Sequence, residues 1–460
     1  MQKSKLSMKK IAAGLLGILF YIQSDAQTAD SLMFRKIFDE TMNHGQAYSW
    51  LHYLCKDIGH RLSGSPQAEM AVYWAQEEMK KAGFDKVWIQ EVMVPHWVRG
   101  EKEYGEIVGV GQVDILALGG SIATPENGIV ANVIEVNSFD ELKKIGREKI
   151  KGNIVFFNHL FPDNVINSFD GYGDAGPFRW YGPDSASAYG AIASITRSVS
   201  SAYDDFPHTG STGFRSGNPA IACAAISTMD ADLLHNALQK NPATKFKMIL
   251  NCKKLEDVKS YNVIGEITGT EFPNEIIVVG GHLDSWDVGE GAHDDGAGCM
   301  QSMEVIRSLK AIHAKPKRTI RCVLFMNEEN GVKGGHAYAD WAKTSIEKHI
   351  AALESDAGGF SPRAFSVDSD FLNHKDLEKL KALMWPYGIY DFHPGHGGTD
   401  IGPLEEFGTM LFGVNPDSQR YMDIHHTAND TFDKVNKREL HLSAATMAML
   451  CWWLSEYGVR

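Results

Sequence analysis

An apolar run that stops at glycine and then presents a histidine and three acids sets the tightest limit on how this chain can fold. Glu275-Ile276-Ile277-Val278-Val279-Gly280 has the length and β-branched content of a buried strand, and Gly281-His282-Leu283-Asp284-Ser285 follows it directly. Asp294-Asp295-Gly296 begins ten residues after Asp284. A strand of this kind belongs to an α/β sheet, and polar groups at its carboxyl end lie where such sheets bind ligands. Further ligands are therefore expected at later strand ends.

Two more apolar runs meet that expectation. Arg318 to Met326 reads as a strand and leads into Asn327-Glu328-Glu329-Asn330-Gly331. Ile350-Ala351-Ala352-Leu353 is shorter and leads into Glu354-Ser355-Asp356-Ala357-Gly358-Gly359. Near the C-terminus, Asp423-Ile424-His425-His426-Thr427 precedes Asn429-Asp430-Thr431 and offers a second imidazole. A lone histidine after a strand, or one Asp-Gly or Glu-Glu pair, is usually a turn or a solvated helix start. The ordered set is what points to a site.

Imidazole nitrogen and carboxylate oxygen suit zinc, and a catalytic zinc keeps one position open for water. A two-metal site needs one bridging carboxylate, with one further carboxylate and one imidazole for each ion. Two histidines and three of the acids fill those places. One acid of the Glu328-Glu329 pair is left over to act as general base.

In its order, H-x-D-S, D-D-G, E-E, E-S-D-A-G and H-x-x-x-D-T, this set resembles the co-catalytic zinc exopeptidases, a family that includes double-zinc aminopeptidases and glutamate carboxypeptidases. The resemblance spans nearly the whole chain after the first 26 residues. It implies an α/β fold, a zinc-exopeptidase sandwich with a central mixed sheet flanked by helices, and two Zn2+ per chain. His282 and Asp356 would hold one ion, Glu329 and His426 the other, and Asp294 would bridge them. It also implies a cis peptide between Asp294 and Asp295. Glu328 becomes the general base, and Asp284 the acceptor that fixes the tautomer of His282. His425 competes with His426, but neighbours on a strand face opposite sides, so one alone should reach the metal. His426 fits the family pattern, four residues before Asp430, which leaves His425 to the substrate pocket or to packing. The Gly-rich stretch His393 to Asp400 reads as a loop. By resemblance its His396, Thr399 and Asp400 are candidate substrate contacts.

At 460 residues the chain exceeds one ordinary hydrophobic core, so two domains are expected. A formal charge of −13 argues against nucleic acid or an anionic membrane as partner. Lys3, Lys5, Lys9 and Lys10 precede an apolar stretch from Ile11 to Ile22, too short to span a membrane comfortably, and Ser24-Asp25-Ala26 follows. A signal peptide over 1–26, export to a secreted or periplasmic location and no stable membrane anchor are expected. The six cysteines are widely spaced and form no disulfide framework. Cys223 and Cys322 read as small buried hydrophobes, and Cys252 as the best bridge member, without a nameable partner.

Ser65 and Pro66 open a helix whose Ala68, Ala71, Val72, Ala75 and Met79 form a stripe and whose end is marked by Gly83. Lys86 to Val92 then reads as a strand. The order of elements over 124–254 resembles a protease-associated domain inserted between two parts of the peptidase domain, 27–123 and 255–460. Such an insert would roof the cleft and set substrate length. Within it, 161–187 reads as a Gly-, Asp- and Phe-rich loop region, and Tyr181 to Asp184 and Gly210 to Gly213 read as surface turns. Gly289-Glu290-Gly291 is followed by acids and is no dinucleotide fingerprint.

The reading is an exported zinc exopeptidase acting on short peptides, above all dipeptides, with a homodimer allowed. Its competitors are an aminopeptidase on longer peptides and a non-catalytic, receptor-like binding protein on the same scaffold. A receptor would be expected to have lost ligands, and none is missing here.

Overall fold

The apolar runs build two sheets of eight strands each. The computed structural model describes residues 29–214 and 217–459, so the expected export segment 1–26 lies outside the described residues. In chain order the strands are β1 (Lys86–Val98), β2 (Tyr104–Ile107), β3 (Gly111–Val113), β4 (Ile115–Ala117), β5 (Ile129–Val136) and β6 (Ile154–Phe157). They continue as β7 (Ala193–Arg197), β8 (Ala222–Ile226), β9 (Lys245–Ile249), β10 (Lys253–Ile267) and β11 (Phe272–His282). The last five are β12 (Arg318–Phe325), β13 (Lys348–Glu354), β14 (Pro362–Val367), β15 (Asp391–Pro394) and β16 (Met410–Pro416).

The first sheet has the order β1-β10-β12-β11-β13-β16-β14-β15. Its middle, β12-β11-β13-β16, is parallel, and β1, β10 and β14 run antiparallel to their neighbours nearer the centre. Alternate residues of β11 explain its continuous apolar run. Ile277 and Val279 pack on one face in a cluster that includes Cys299, Met303 and Leu450 from the helices Ala297–Ala311 and Lys437–Tyr457. Ile276 and Val278 pack on the other face with Tyr338 and Ala339 from the helix Lys333–Thr344. Each such side chain contributes roughly 1.5 to 3 kcal/mol of burial, and a strand covered on both sides needs no polar alternation.

Parallel strands end together, so β11, β12 and β13 deliver His282, Asn327 to Glu329 and Glu354 to Asp356 to one edge. The helix Pro66–Lys81 forms as its sequence predicts. Ser65 Oγ accepts from the Ala68 N–H at 3.1 Å, and the expected stripe is its buried face. The strand after it runs on from Val92 to Val98.

The second sheet has the order β3-β2-β9-β5-β6-β7-β8-β4 and spans residues 104–249. The expected start of the insert at 124 therefore falls inside this unit, because β2, β3 and β4 already belong to its sheet. Val98 and Lys253 are paired across the β1/β10 ladder, so the chain leaves the first sheet and returns to it at one place.

Three other expectations are corrected. Residues 161–187 are not simply a loop region: Ser168–Trp180 and Gly182–Ala188 are helices. The Asn167 side chain caps the first by accepting from the Phe169 N–H, and Gly171 is tolerated because a Cβ there would collide with the Phe161 ring. Residues 210–212 are not a surface turn but are buried between the two units. Cys252 is no bridge member, since all six cysteines are buried and free. Among the described residues no helix is long and apolar enough to cross a membrane.

Candidate metal centre

His282, the last residue of β11, lies 1% exposed with its Nε2 3.2 Å from Asp294 Oδ1 and 3.4 Å from Asp356 Oδ1. His426 Nε2 lies 3.1 Å from Asp294 Oδ2 and 3.1 Å from Glu329 Oε2. The two oxygens of Asp294 thus face the two imidazoles, one each. Donors held about 2.0 to 2.2 Å from a tetrahedral zinc stand about 3.3 to 3.6 Å from one another, close to these separations. Asp294 Oδ2 and Glu329 Oε1 are buried without a hydrogen-bond partner. Uncompensated carboxylate oxygens in such a place are costly, and the donor set fits cations between the imidazoles and the acids.

Three acids outside this set hold the backbone that carries it. Asp295 Oδ2 accepts from the His282 N–H at 3.1 Å and its Oδ1 from the Gly298 N–H at 2.9 Å. Gly281 and Gly298 are required there, because a Cβ on either would strike that carboxylate. Asp430 accepts from the amides of His293 (2.8 Å) and Asp294 (3.1 Å). Asp284 Oδ1 accepts from the amides of Asn327 (2.7 Å) and Glu328 (3.1 Å). This corrects the expected role of Asp284. The ring Nδ1–H of His282 donates to the backbone carbonyl of Asp284 at 2.9 Å, while the carboxylate stands 3.9 Å from that nitrogen and serves the Glu328 turn. The peptide between Asp294 and Asp295 is cis.

His425 and His426 do not face opposite ways. They follow a 3-10 turn, Ser418–Asp423, rather than lying on a strand, and His426 has a left-handed φ of 63°. Their rings stack with centroids 3.5 Å apart. His425 Nε2 is 3.6 Å from Asp294 Oδ2, farther than that of His426, and its Nδ1 is unpartnered.

Glu328 is half-buried in the wall of a cavity of about 490 Å³ that also exposes Asp294, Glu329, Asp356, His425 and His426. Burial pushes its carboxyl up to about 8; His282 opposes this, while Asp356, Glu329 and Asp294 add to it. Glu329 is pushed up to about 7 by burial and by Asp294, against His426. Burial works against charge on His426, but the carboxylates of Glu329 and Asp294 outweigh it and hold the imidazole up to about 10. These shifts describe acids crowded together with too little positive charge, which bound cations would supply.

Of the Gly-rich stretch, Thr399 lines this cavity and also an adjoining one of about 560 Å³, where His396 lies too. His393 and Pro394 end β15 and are not loop. Asp400 lines neither cavity. It is 1% exposed, its amide donates to Glu354, and both its carboxylate oxygens are unpartnered.

Arg179 went unnoticed in the sequence. It comes from the second unit, is 4% exposed, and lines the metal cavity with Tyr172. Its Nη2 donates to the Tyr172 hydroxyl at 2.5 Å, its Nη1 to the Thr209 carbonyl at 3.3 Å, and its Nε has no partner. Gly210, at φ +138°, leaves the room this guanidinium fills. No local pattern marks the residue, because its neighbours at the site lie in the other unit.

The sequence model of Peptidase family M28 matches residues 262–451, the stretch that carries every donor above. Carboxypeptidase Q from Bos taurus is 32% identical over 429 residues, covering 93% of this chain and 89% of the relative. The chain belongs to peptidase family M28. Human carboxypeptidase Q gives the same 32% over 436 residues, with 95% of this chain and 90% of the relative covered. Among solved structures, a peptidase M28 precursor from Shewanella amazonensis superposes with a TM-score of 0.89 at 31% identity, covering 93% of this chain and 97% of that one. A zinc aminopeptidase from Bacillus subtilis shares the fold at a TM-score of 0.62 and 20% identity, over 87% of this chain and 94% of that one. As an M28 member with this donor set, the protein is a metallo-exopeptidase, in agreement with the resemblance read from its motifs.

Proposed function

We propose that this M28 peptidase is an exported dipeptidase or carboxypeptidase that holds two zinc ions and uses Glu328 as general base. His282, Asp356 and Asp294 would hold one ion, and His426, Glu329 and Asp294 the other. The observation that carries the two-ion reading is Asp294, whose separate oxygens face separate imidazoles. Zinc held by these residues would supply Lewis acidity toward the scissile carbonyl and toward the attacking water. Glu328 accepts the proton of the attacking water and returns it to the leaving amine. Asp284 holds Glu328 at the cavity wall through the backbone amides of residues 327 and 328.

The free terminus that makes this an exopeptidase is read, in this proposal, by Arg179. A buried guanidinium in the wall of the metal cavity, held there by the Tyr172 hydroxyl and the Thr209 carbonyl, suits a substrate α-carboxylate. The second unit, inserted between β1 and β10, is assigned as a protease-associated domain that roofs the cavity and limits peptide length. Export rests on the basic and apolar segment 1–26.

The test is a panel of dipeptides with free or amidated C-termini. The free acids should be preferred, and Arg179→Met should remove that preference, with kcat/KM on the free acid falling roughly 10- to 100-fold. Equal rates on free and amidated substrates in the unaltered enzyme would reject the role of Arg179. They would favour the aminopeptidase alternative, to which the Bacillus subtilis neighbour points.

A further inference from the structure

The two halves of the centre are held by different parts of the molecule. On the His282 and Asp356 side, every support comes from the first sheet and its helices. His282 Nδ1–H donates to Asp284 O, the His282 amide donates to Asp295, and the Ser355 amide and hydroxyl donate to Gly280 O and Gln301 Oε1. On the Glu329 and His426 side, the supports come from the inserted unit, about 120 to 220 residues away in sequence. His426 Nδ1–H donates to the carbonyl of Thr209 at 3.2 Å, and the Thr209 amide donates back to the carbonyl of His426 at 3.0 Å. Ser211 Oγ donates to the carbonyl of Glu329 at 2.9 Å, and His208 Nδ1–H donates to the carbonyl of His425 at 2.7 Å. His208, Thr209 and Ser211 are at most 7% exposed, so water does not replace these bonds.

An acceptor on the far nitrogen of a ligating imidazole fixes its tautomer and raises its basicity, and its loss typically weakens a metal roughly 10- to 100-fold. From this asymmetry we propose that the segment His208–Ser211 sets the affinity of the Glu329/His426 metal position alone, so that docking of the inserted unit and occupancy of that one position are coupled. The inference rests on the two-zinc reading above. Linkage makes the coupling reciprocal: filling that position tightens the inserted unit against the first sheet.

The test uses the full chain, stripped with chelator and titrated with Co2+ by calorimetry and visible spectroscopy. Two binding steps are expected. Ser211→Ala, and its combination with His208→Asn, loosen the segment that presents the Thr209 carbonyl to His426 and should weaken one step by up to roughly 10-fold, the low end of the effect of losing that acceptor, and leave the other within about threefold. The same loss should appear in a His282→Ala background and be absent in Glu329→Gln. Hydrogen exchange needs no substitution in the segment: amides of 208–211 should gain protection on the step that Glu329→Gln abolishes. If both steps weaken together, or neither does, and protection does not follow that step, the coupling is refuted while two-metal binding stands. A single binding step in the unaltered protein would instead overturn the two-zinc reading and the coupling with it.

Discussion

Replacing Glu328 by glutamine tests the assignment of the base with little disturbance elsewhere. The substitution keeps the shape of the side chain, and among the described residues no hydrogen bond reaches the Glu328 carboxylate; its backbone is what Asp284 holds. The metal donors are other residues, so metal content should be unchanged. What is lost is a carboxylate in the wall of the metal cavity, beside the donors, that can take the proton of the attacking water. General base catalysis contributes roughly 10²- to 10⁴-fold, or about 3 to 5 kcal/mol of barrier. The measurement is kcat and KM on a dipeptide alongside metal per chain by mass spectrometry. The expected result is kcat down by that factor with metal unchanged and KM within about threefold. Turnover within about threefold of the parent, with metal loaded, would refute the reasoning. So would loss of metal, because Glu328 would then be a ligand.

Two further predictions concern stability. Burial, helped by Arg321, pushes the imidazole of His349 down to about 4, and Tyr338 O–H lies 3.0 Å from its Nε2. The unfolded chain takes up this proton near pH 6.5 and the folded one only near 4, so stability is full above 6.5 and falls as pH drops through that window, by on the order of 1 to 3 kcal/mol. His349→Gln should therefore lower Tm at pH 7 yet show a smaller further drop at pH 4.5; an unchanged drop would reject the assignment. Removing metal with chelator should lower Tm reversibly, since each ion at about a hundred times its Kd stabilises by about 2.7 kcal/mol. A Tm indifferent to chelation and to restored zinc would remove the cation from the centre.

The donors were legible because each lies just past an apolar run or in a short motif, and parallel strands carry those ends to one edge. Strand ends alone point to the cluster; which acid of Glu328-Glu329 and which of Glu354 and Asp356 is a donor came from the family resemblance. The choice of His426 over His425 came from the family spacing, four residues before Asp430, whereas the argument that strand neighbours face opposite ways does not hold. The chain there is a turn with a left-handed residue, and both rings lie on one side. Asp284 was placed next to the right histidine with the wrong atom, because a backbone carbonyl and a carboxylate of one residue cannot be told apart by spacing. A Gly-rich loop does not disclose which of its side chains turn inward, and Asp400 is buried rather than at the cavity surface.

By itself, then, the sequence determined an α/β sheet with a cluster of imidazoles and acids at its carboxyl edge, since hydrophobic periodicity and chain order are local properties. Only the tertiary structure decided what surrounds that cluster. Arg179, Thr209 and Ser211 reach the centre from the unit inserted between β1 and β10, where the sequence shows an unremarkable arginine and the pattern of a surface turn. Their partners, His426 and Glu329, are more than a hundred residues away, and such contacts depend on how two finished surfaces meet.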